Sequence, residues 1–214
     1  RFLLMSIITF KNEYWNSFYQ SEVNKININY PSQFAVFTVG EARDINTILE
    51  FGCGNGRDAF FFSNYFKKIY AFDSSVEIIN KNNKQYSKIN NLKFLKYDLN
   101  NKFVTKNILL TKKKAIYARF FLHALTDNEI RLFISLCAKL LKKKECLYLE
   151  YRTEKDKKGK KVTKYHYRNY IKEKFFNNLL KDFNLESIYF VKGLGYAKFK
   201  DDDAYVARHI IVKK

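Results

Sequence analysis

Proline is nearly absent from this chain: Pro31 is the only one in 214 residues. Any recognition turn built on proline is therefore excluded everywhere else. Cysteine is scarce too. Cys53, Cys137 and Cys146 are an odd set without metal-ligand spacing, which argues against a disulfide scaffold or a metal site and for a reducing, cytoplasmic compartment. No apolar run reaches the roughly 18 residues that a membrane span needs. The segment up to Phe10 is apolar but lacks a small-residue cleavage site, so no signal peptide is expected, and Met5 is a candidate natural start. Internal repeats and domain linkers are missing as well. At 47% hydrophobic, the chain suits one well-buried domain and is short for two, so a single domain over 1–214 is expected.

Acidic residues are outnumbered, 21 against 40 Lys and Arg, which leaves a formal net charge of +19. A charge of that size points toward nucleic acid. Its distribution points elsewhere. Lysines cluster at Lys67–Lys68, Lys112–Lys114, Lys142–Lys144 and Lys157 to Lys161, where turns and helix ends are expected, so they read as solvated surface. Arginines are few, and Arg57, Arg119 and Arg152 follow predicted strand ends, where ligands of open α/β sheets bind.

What the chain does have is concentrated in Ile48 to Asp58, ILEFGCGNGRD. A short apolar run ends in glycines at every second position, Gly52, Gly54 and Gly56, and an apolar helix-like segment follows from Ala59 to Phe66. A second apolar run, Ile69 to Phe72, ends at Asp73. Strand, glycine-rich turn, helix and acid-tipped strand make half of a nucleotide-binding α/β unit. The glycines let backbone approach a ligand, and the acid can bond both ribose hydroxyls. The spacing selects the ligand. Dinucleotide folds use G-x-G-x-x-G to set pyrophosphate on a helix N-terminus. Here the pattern is G-x-G-x-G preceded by Glu50, an acid suited to a cation and poorly placed for phosphate. S-adenosylmethionine (SAM), with its sulfonium and ammonium, fits better.

The rest of the chain alternates. A short amphipathic helix over Lys11 to Tyr19 carries Tyr14, Trp15, Phe18 and Tyr19, and Pro31-Ser32 opens a second helix; the N-terminal 1–45 segment reads as a helical flap. After the first two strands come a helix (Ser75 to Tyr86), a strand (Leu92 to Tyr97) ending at Asp98, and a fourth strand (Ala115 to Phe120). A helix follows with a capping box at Thr126 and Glu129, then a fifth strand (Cys146 to Tyr151). Thr153 to Lys164 is charged and aperiodic, so a mobile excursion is expected there. A last helix covers Arg168 to Phe183, and Leu185 to Val191 pairs with Tyr205 to Val212 across Gly193 to Asp203, whose consecutive aspartates read as solvated. The fold class is α/β: a Rossmann-like, seven-stranded, mostly parallel sheet with an antiparallel C-terminal strand and helices on both faces.

The glycine turn with Glu50 resembles the first motif of the class I SAM-dependent methyltransferases. That resemblance implies SAM as cofactor, S-adenosylhomocysteine as product and no metal. It assigns Asp73 to the ribose, Asp98 with Leu99 to the adenine amino group, and Ser74 to an added contact. Tyr14, Trp15 and Tyr19 could close over a sulfonium by cation–π attraction or simply pack on the core. Further pieces narrow the likeness: Tyr14-Trp15, Pro31-Ser32, Gly52 to Asp58, Ala118-Arg119-Phe120 with His123, Glu150 with Arg152, His166 with Arg168, and Gly193 to Arg208. Together, from about Tyr14 to the C-terminus, they resemble bacterial methyltransferases found with capsule and surface-polysaccharide biosynthesis. Such enzymes methylate a sugar hydroxyl or a phosphate-type group, including O-methyl phosphoramidate. Two arginines are expected after His166, whereas this chain has Arg168-Asn169.

The proline shortage also bears on the acceptor. Exocyclic base-nitrogen methylation uses an Asn/Asp-Pro-Pro-aromatic turn, and cytosine C5 methylation a Pro-Cys nucleophile; neither can exist here. The fourth strand instead leads to His123, which can take a proton from a hydroxyl near neutral pH or bond backbone at a helix start. Arg119, Arg152, His166 and Arg168 are the candidate acceptor contacts, since arginine forks bind phosphate or carboxylate bidentately. The leading reading is an O-methyltransferase for an anionic small molecule or glycan precursor, with no nucleic acid partner and no membrane span. An RNA methyltransferase and a non-catalytic SAM-binding accessory protein are the alternatives.

Overall fold

The computed structural model of the protein describes residues 13–17, 30–101, 108, 111–159, 167–199 and 201–214. Tyr19 and His166 lie outside the described residues. Residues 13–17 are helical. The elements that follow are α1 (Gln33–Glu41), β1 (Thr47–Phe51), α2 (Arg57–Phe62), β2 (Lys68–Asp73), α3 (Val76–Gln85), β3 (Leu92–Lys96) and β4 (Lys114–Arg119). The second half adds α4 (Asp127–Leu140), β5 (Cys146–Arg152), α5 (Glu173–Asp182), β6 (Leu185–Gly193), β7 (Lys198–Phe199), β8 (Asp202–Asp203) and β9 (Val206–Lys213).

Seven strands form one sheet in the order β3-β2-β1-β4-β5-β9-β6, and β7 and β8 make a separate small hairpin. The first five neighbours pair in parallel, and β9 runs antiparallel to both β5 and β6. β1 is buried at all five positions, as expected of a parallel strand covered on both faces. Its successive side chains divide between two cores. Leu49 and Phe51 pack with Phe133, Leu149 and Phe176 under α4 and α5, whereas Ile48 packs with Phe34, Phe62 and Tyr148 under α1 and α2. Helix starts follow their capping residues. The Ser32 hydroxyl accepts from the Ala35 N–H at 3.0 Å, and Thr126 and Glu129 complete a capping box.

Three expectations change. The last helix begins at Glu173, because the chain before it is pinned in extended form: the Asn169 N–H donates to the His123 carbonyl at 2.7 Å, and Ile171 bridges to Thr153. Within the expected mobile excursion, Glu154–Lys158 is a packed 3-10 turn that buries Asp156. Lys114, grouped above with solvated lysines, is fully buried; its ammonium lies 2.8 Å from Glu145 and donates to the Thr111 carbonyl. Among the described residues no helix is long and apolar enough to cross a membrane.

Candidate active site

The glycine turn is held in a backbone form that side chains resist. Gly52, Gly54 and Gly56 have φ of +74°, +51° and +74°. A Cβ on Gly52 would come within 2.7 Å of Phe121, and one on Gly56 within 2.8 Å of Phe94. Two side chains fasten the turn. Asp73 Oδ2 accepts from the Gly54 N–H at 3.0 Å, and Asn82 donates to the Gly54 carbonyl at 2.7 Å. Asp73 Oδ1 accepts from the Ser75 N–H at 3.1 Å. Each carboxylate oxygen thus keeps a lone pair for a ligand. Burial raises the Asp73 pKa above the ordinary carboxylate value, and the backbone bonds partly restore it.

Asp73 borders a pocket that opens to solvent. Gly52, Ser74, Asp98 and Leu99 line the same side, with Phe51, Phe72, Tyr97 and Trp15 as aromatic walls. The opposite side is Phe120, Phe121 and the start of α4. Of the expected cofactor contacts, the structure brings Gly52, Asp73, Ser74, Asp98, Leu99 and Trp15 to one hollow. Tyr14 stacks edge-on against Trp15, with ring centres 5.1 Å apart. Asp98 also caps its own loop, accepting from the Asn100 N–H and side-chain amide at 2.9 and 3.0 Å. Beneath the turn, Glu50 is buried and its Oε2 has no hydrogen-bond partner among the described residues. Burial pushes its pKa up, Asp58 and Asp73 add to the shift, and Arg57 and Arg119 oppose it. A buried, unsatisfied carboxylate oxygen is costly unless a ligand supplies a donor or cation. The residues present therefore fit a ligand with a ribose and an ammonium.

Across the pocket the site is built from charge. Phe120, directly after β4, has φ of +53°, a conformation that costs a bulky residue about 1–3 kcal/mol. Its ring is within cation–π reach of two guanidiniums, Arg119 at 4.2 Å and Arg152 at 5.0 Å. Glu150, fully buried on β5, accepts from Arg119 Nε at 2.8 Å and from Arg208 Nε at 2.6 Å. Arg152 is a correction to the sequence reading. Its fork closes on Asp202 at 2.6 and 3.1 Å, and Nη1 also reaches Asp156 at 2.7 Å, all out of solvent. It ties β8 and the 3-10 turn to β5 and does not present a free grip, and Asp202 is buried, not solvated. Arg168 is half-buried; burial lowers its pKa, while Tyr170, Tyr14 and Asp202 partly offset this. His123 sits in the 3-10 turn Leu122–Ala124, buried, with its ring 5.4 Å from Phe120. Asn169, where a second arginine was expected, donates to the Leu125 carbonyl and to Asp127, tying the segment down beside His123.

Sequence reasoning missed two arrangements. Asp58 accepts from the Ser32 N–H and hydroxyl, both at 2.7 Å, and from the Tyr117 hydroxyl at 2.9 Å, fastening α1 to the glycine turn. The Glu150–Arg208 pair had a signal: each is a charge within a largely apolar strand, and the two are cross-strand partners. Among the described residues no group of His, Cys, Asp or Glu could hold a metal ion.

Residues 48–144 match the family model described as a methyltransferase domain. No curated protein matches the sequence. Solved structures share the fold at low identity. A S-adenosylmethionine-dependent methyltransferase from Clostridium acetobutylicum aligns at 12% identity and a TM-score of 0.66, over 95% of this chain and 99% of that one. Magnesium protoporphyrin IX methyltransferase from Synechocystis, with bound SAM, aligns at 14% and 0.70 over 96% of each chain. The CcbJ methyltransferase from Streptomyces caelestis aligns at 11% and 0.71, over 93% and 97%. Residues 48–144 thus match a methyltransferase domain model, and the chain shares the fold of SAM-dependent methyltransferases.

Proposed function

We propose that this protein, a methyltransferase by domain and fold, is a SAM-dependent O-methyltransferase whose acceptor is an anionic small molecule or a nucleotide- or glycan-linked precursor, of the kind used in capsule biosynthesis. It works in the cytoplasm as one domain. The observation that carries this reading is the continuous pocket that runs from Asp73, Ser74 and Asp98 to Phe120, against whose ring the Arg119 guanidinium lies. Bound SAM supplies a methyl group activated on a sulfonium.

The chain's own residues do the rest. The glycine turn admits the cofactor closely, Asp73 accepts from the ribose hydroxyls, Asp98 from the adenine amino group, and Glu50 faces the ammonium. Trp15, with Tyr14, closes over the pocket. Arg119 and Arg168 hold the acceptor's negative charge, and the half-buried ring of Phe120 helps to exclude water. Alignment of acceptor and methyl carries much of the rate. A sugar-hydroxyl acceptor must lose a proton, and His123 takes it. A phosphate-type oxygen is already anionic, and His123 then only orients it.

Labelled SAM incubated with cell-extract metabolites, fractionated into small molecules, glycans and RNA, tests the reading. Label is expected in an anionic small-molecule or glycan fraction, and its loss in Asp73→Ala ties it to this site. Label in RNA that vanishes in the same variant would overturn the acceptor assignment. With the acceptor in hand, His123→Ala should lower turnover about 10²–10⁴-fold for a hydroxyl, with a changed pH profile, and far less for a phosphate-type oxygen.

A further inference from the structure

β1 and β4 are neighbours in the sheet although β2 and β3 lie between them in sequence. The chain leaves them toward opposite edges, and such a switch point opens a crevice at the strands' carboxyl ends, where ligands of open α/β sheets bind. Two arginines stand at its two sides. Phe51, the last residue of β1, pairs with Ala118, so Arg119 ends β4 one residue further on. Arg57 opens α2 just after the glycine turn.

Both guanidiniums are largely buried, with side chains 16% and 15% exposed, and both are underused. The one charged partner of Arg57 among the described residues is Asp58, 3.8 Å from Nε, and Asp58 is already engaged by Ser32 and Tyr117. Arg119 spends only its Nε, on Glu150, whose other oxygen belongs to Arg208. The terminal NH2 groups of both arginines have no hydrogen-bond partner among the described residues. Burial lowers the Arg57 pKa, Asp58 opposes this, and the charge of Arg119 lowers it further, so the two cations are within electrostatic reach. The remaining acid nearby, Glu50, is buried beneath the glycine turn and makes no ion pair with either arginine among the described residues. Asp58 and Glu150 hold both guanidiniums in their charged form, and the terminal donors, which are not sealed from solvent, are left to meet an anion.

We infer that Arg57 and Arg119 form a two-armed anion site at this switch point, which receives the carboxylate or phosphoryl group of the methyl acceptor; this rests on the anionic-acceptor reading above. Planar forks from two sides fix the group's orientation as well as its charge, which a lysine at either position cannot do.

Calorimetric titration of inorganic phosphate, and separately of acetate, into the protein loaded with S-adenosylhomocysteine tests the site at low ionic strength. The wild type is compared with Arg57→Ala, Arg57→Lys and Arg119→Ala, and with Arg131→Ala, an exposed arginine paired to Asp182, as the control. S-adenosylhomocysteine affinity and melting temperature are measured for each. Saturable phosphate or acetate binding is expected, weakened at least tenfold in Arg57→Ala and Arg119→Ala, partly kept in Arg57→Lys and unchanged in Arg131→Ala, with cofactor-product affinity within twofold throughout. Whichever probe binds identifies the acid group. Anion binding that survives Arg57→Ala would overturn the site while leaving an anionic acceptor standing. Loss of cofactor-product affinity with phosphate binding intact would assign Arg57 to the cofactor's own carboxylate and overturn the proposal. Binding of neither probe by the wild type would overturn both the site and the acceptor reading. If Arg57→Ala does not fold, Arg57→Gln carries the same comparison.

Discussion

The two sides of the pocket are built from different physics. On the β1–β2–β3 side, shape comes from backbone: left-handed glycines, N–H groups and the ends of strands. On the β4–β5–β9 side, shape comes from buried charge, with Glu150 between Arg119 and Arg208, and Arg152 between Asp156 and Asp202. The first side needs particular φ angles but few particular partners. The second uses mostly ordinary backbone, Phe120 and Gly195 excepted, and depends on each partner being present. A change that spares one side should therefore damage the other.

The largest effect is expected on the charged side. Glu150→Ala would leave two guanidiniums buried without their shared carboxylate, and breaking a buried pair in this way costs about 3–5 kcal/mol. Urea or guanidinium unfolding measures it; a loss below about 1 kcal/mol would mean that solvent reaches the network, and the contrast between the two sides would fail.

On the cofactor side the matching change should cost function before stability. Asp73→Ala should weaken SAM binding by roughly 1.5–3 kcal/mol through lost charge-assisted bonds to the ribose, with most of the native stability retained. Calorimetry giving unchanged affinity in a folded variant would remove Asp73 from the cofactor site. Gly56→Ala combines strain at φ +74° with a close approach to Phe94, and should cost about 1–2 kcal/mol in the backbone term alone. The same denaturant series reads it.

A third comparison uses acidity. His209 on β9 is buried among Tyr151, Phe176 and Phe190, and burial drives its pKa down to about 3. The unfolded imidazole titrates near 6.5, so below that pH the unfolded chain binds a proton that the folded chain refuses. This contribution is absent above about pH 6.5 and destabilises the fold progressively as pH falls toward 3. Between pH 7 and pH 5 it amounts to about 2 kcal/mol. His209→Gln, which can still bond Tyr151 or Ser187, should flatten that part of the stability–pH curve; an equal slope in both proteins would refute the buried neutral imidazole.

The smallest effect is expected from the lysines. Lys143→Ala, at an exposed position, should change stability by less than about 0.5 kcal/mol. Lys114→Met removes a buried charge and strands Glu145, so its cost should be several times larger, although the sequence presents both within lysine runs.

The amino-acid sequence by itself determined the alternation of strands and helices, the glycine turn, Asp73 and Asp98 at strand ends, and the capping box at Thr126 and Glu129. Each of these is written in residues a few positions apart, through periodicity, φ preference or side-chain reach, and needs no knowledge of what the chain meets later. Only the tertiary structure decided the fate of the charges. Arg152 is captured by Asp202, 50 residues away, and Arg208 by Glu150, 58 residues away. Lys114 vanishes into the core beside Glu145, and Asn169 draws the chain before α5 straight by bonding beside His123. A guanidinium read from sequence is equally ready for substrate or for a carboxylate of its own chain. Which one it meets is settled when β9 inserts between β5 and β6 and brings a distant acid or base into a low-dielectric interior, where an unpaired charge cannot stay.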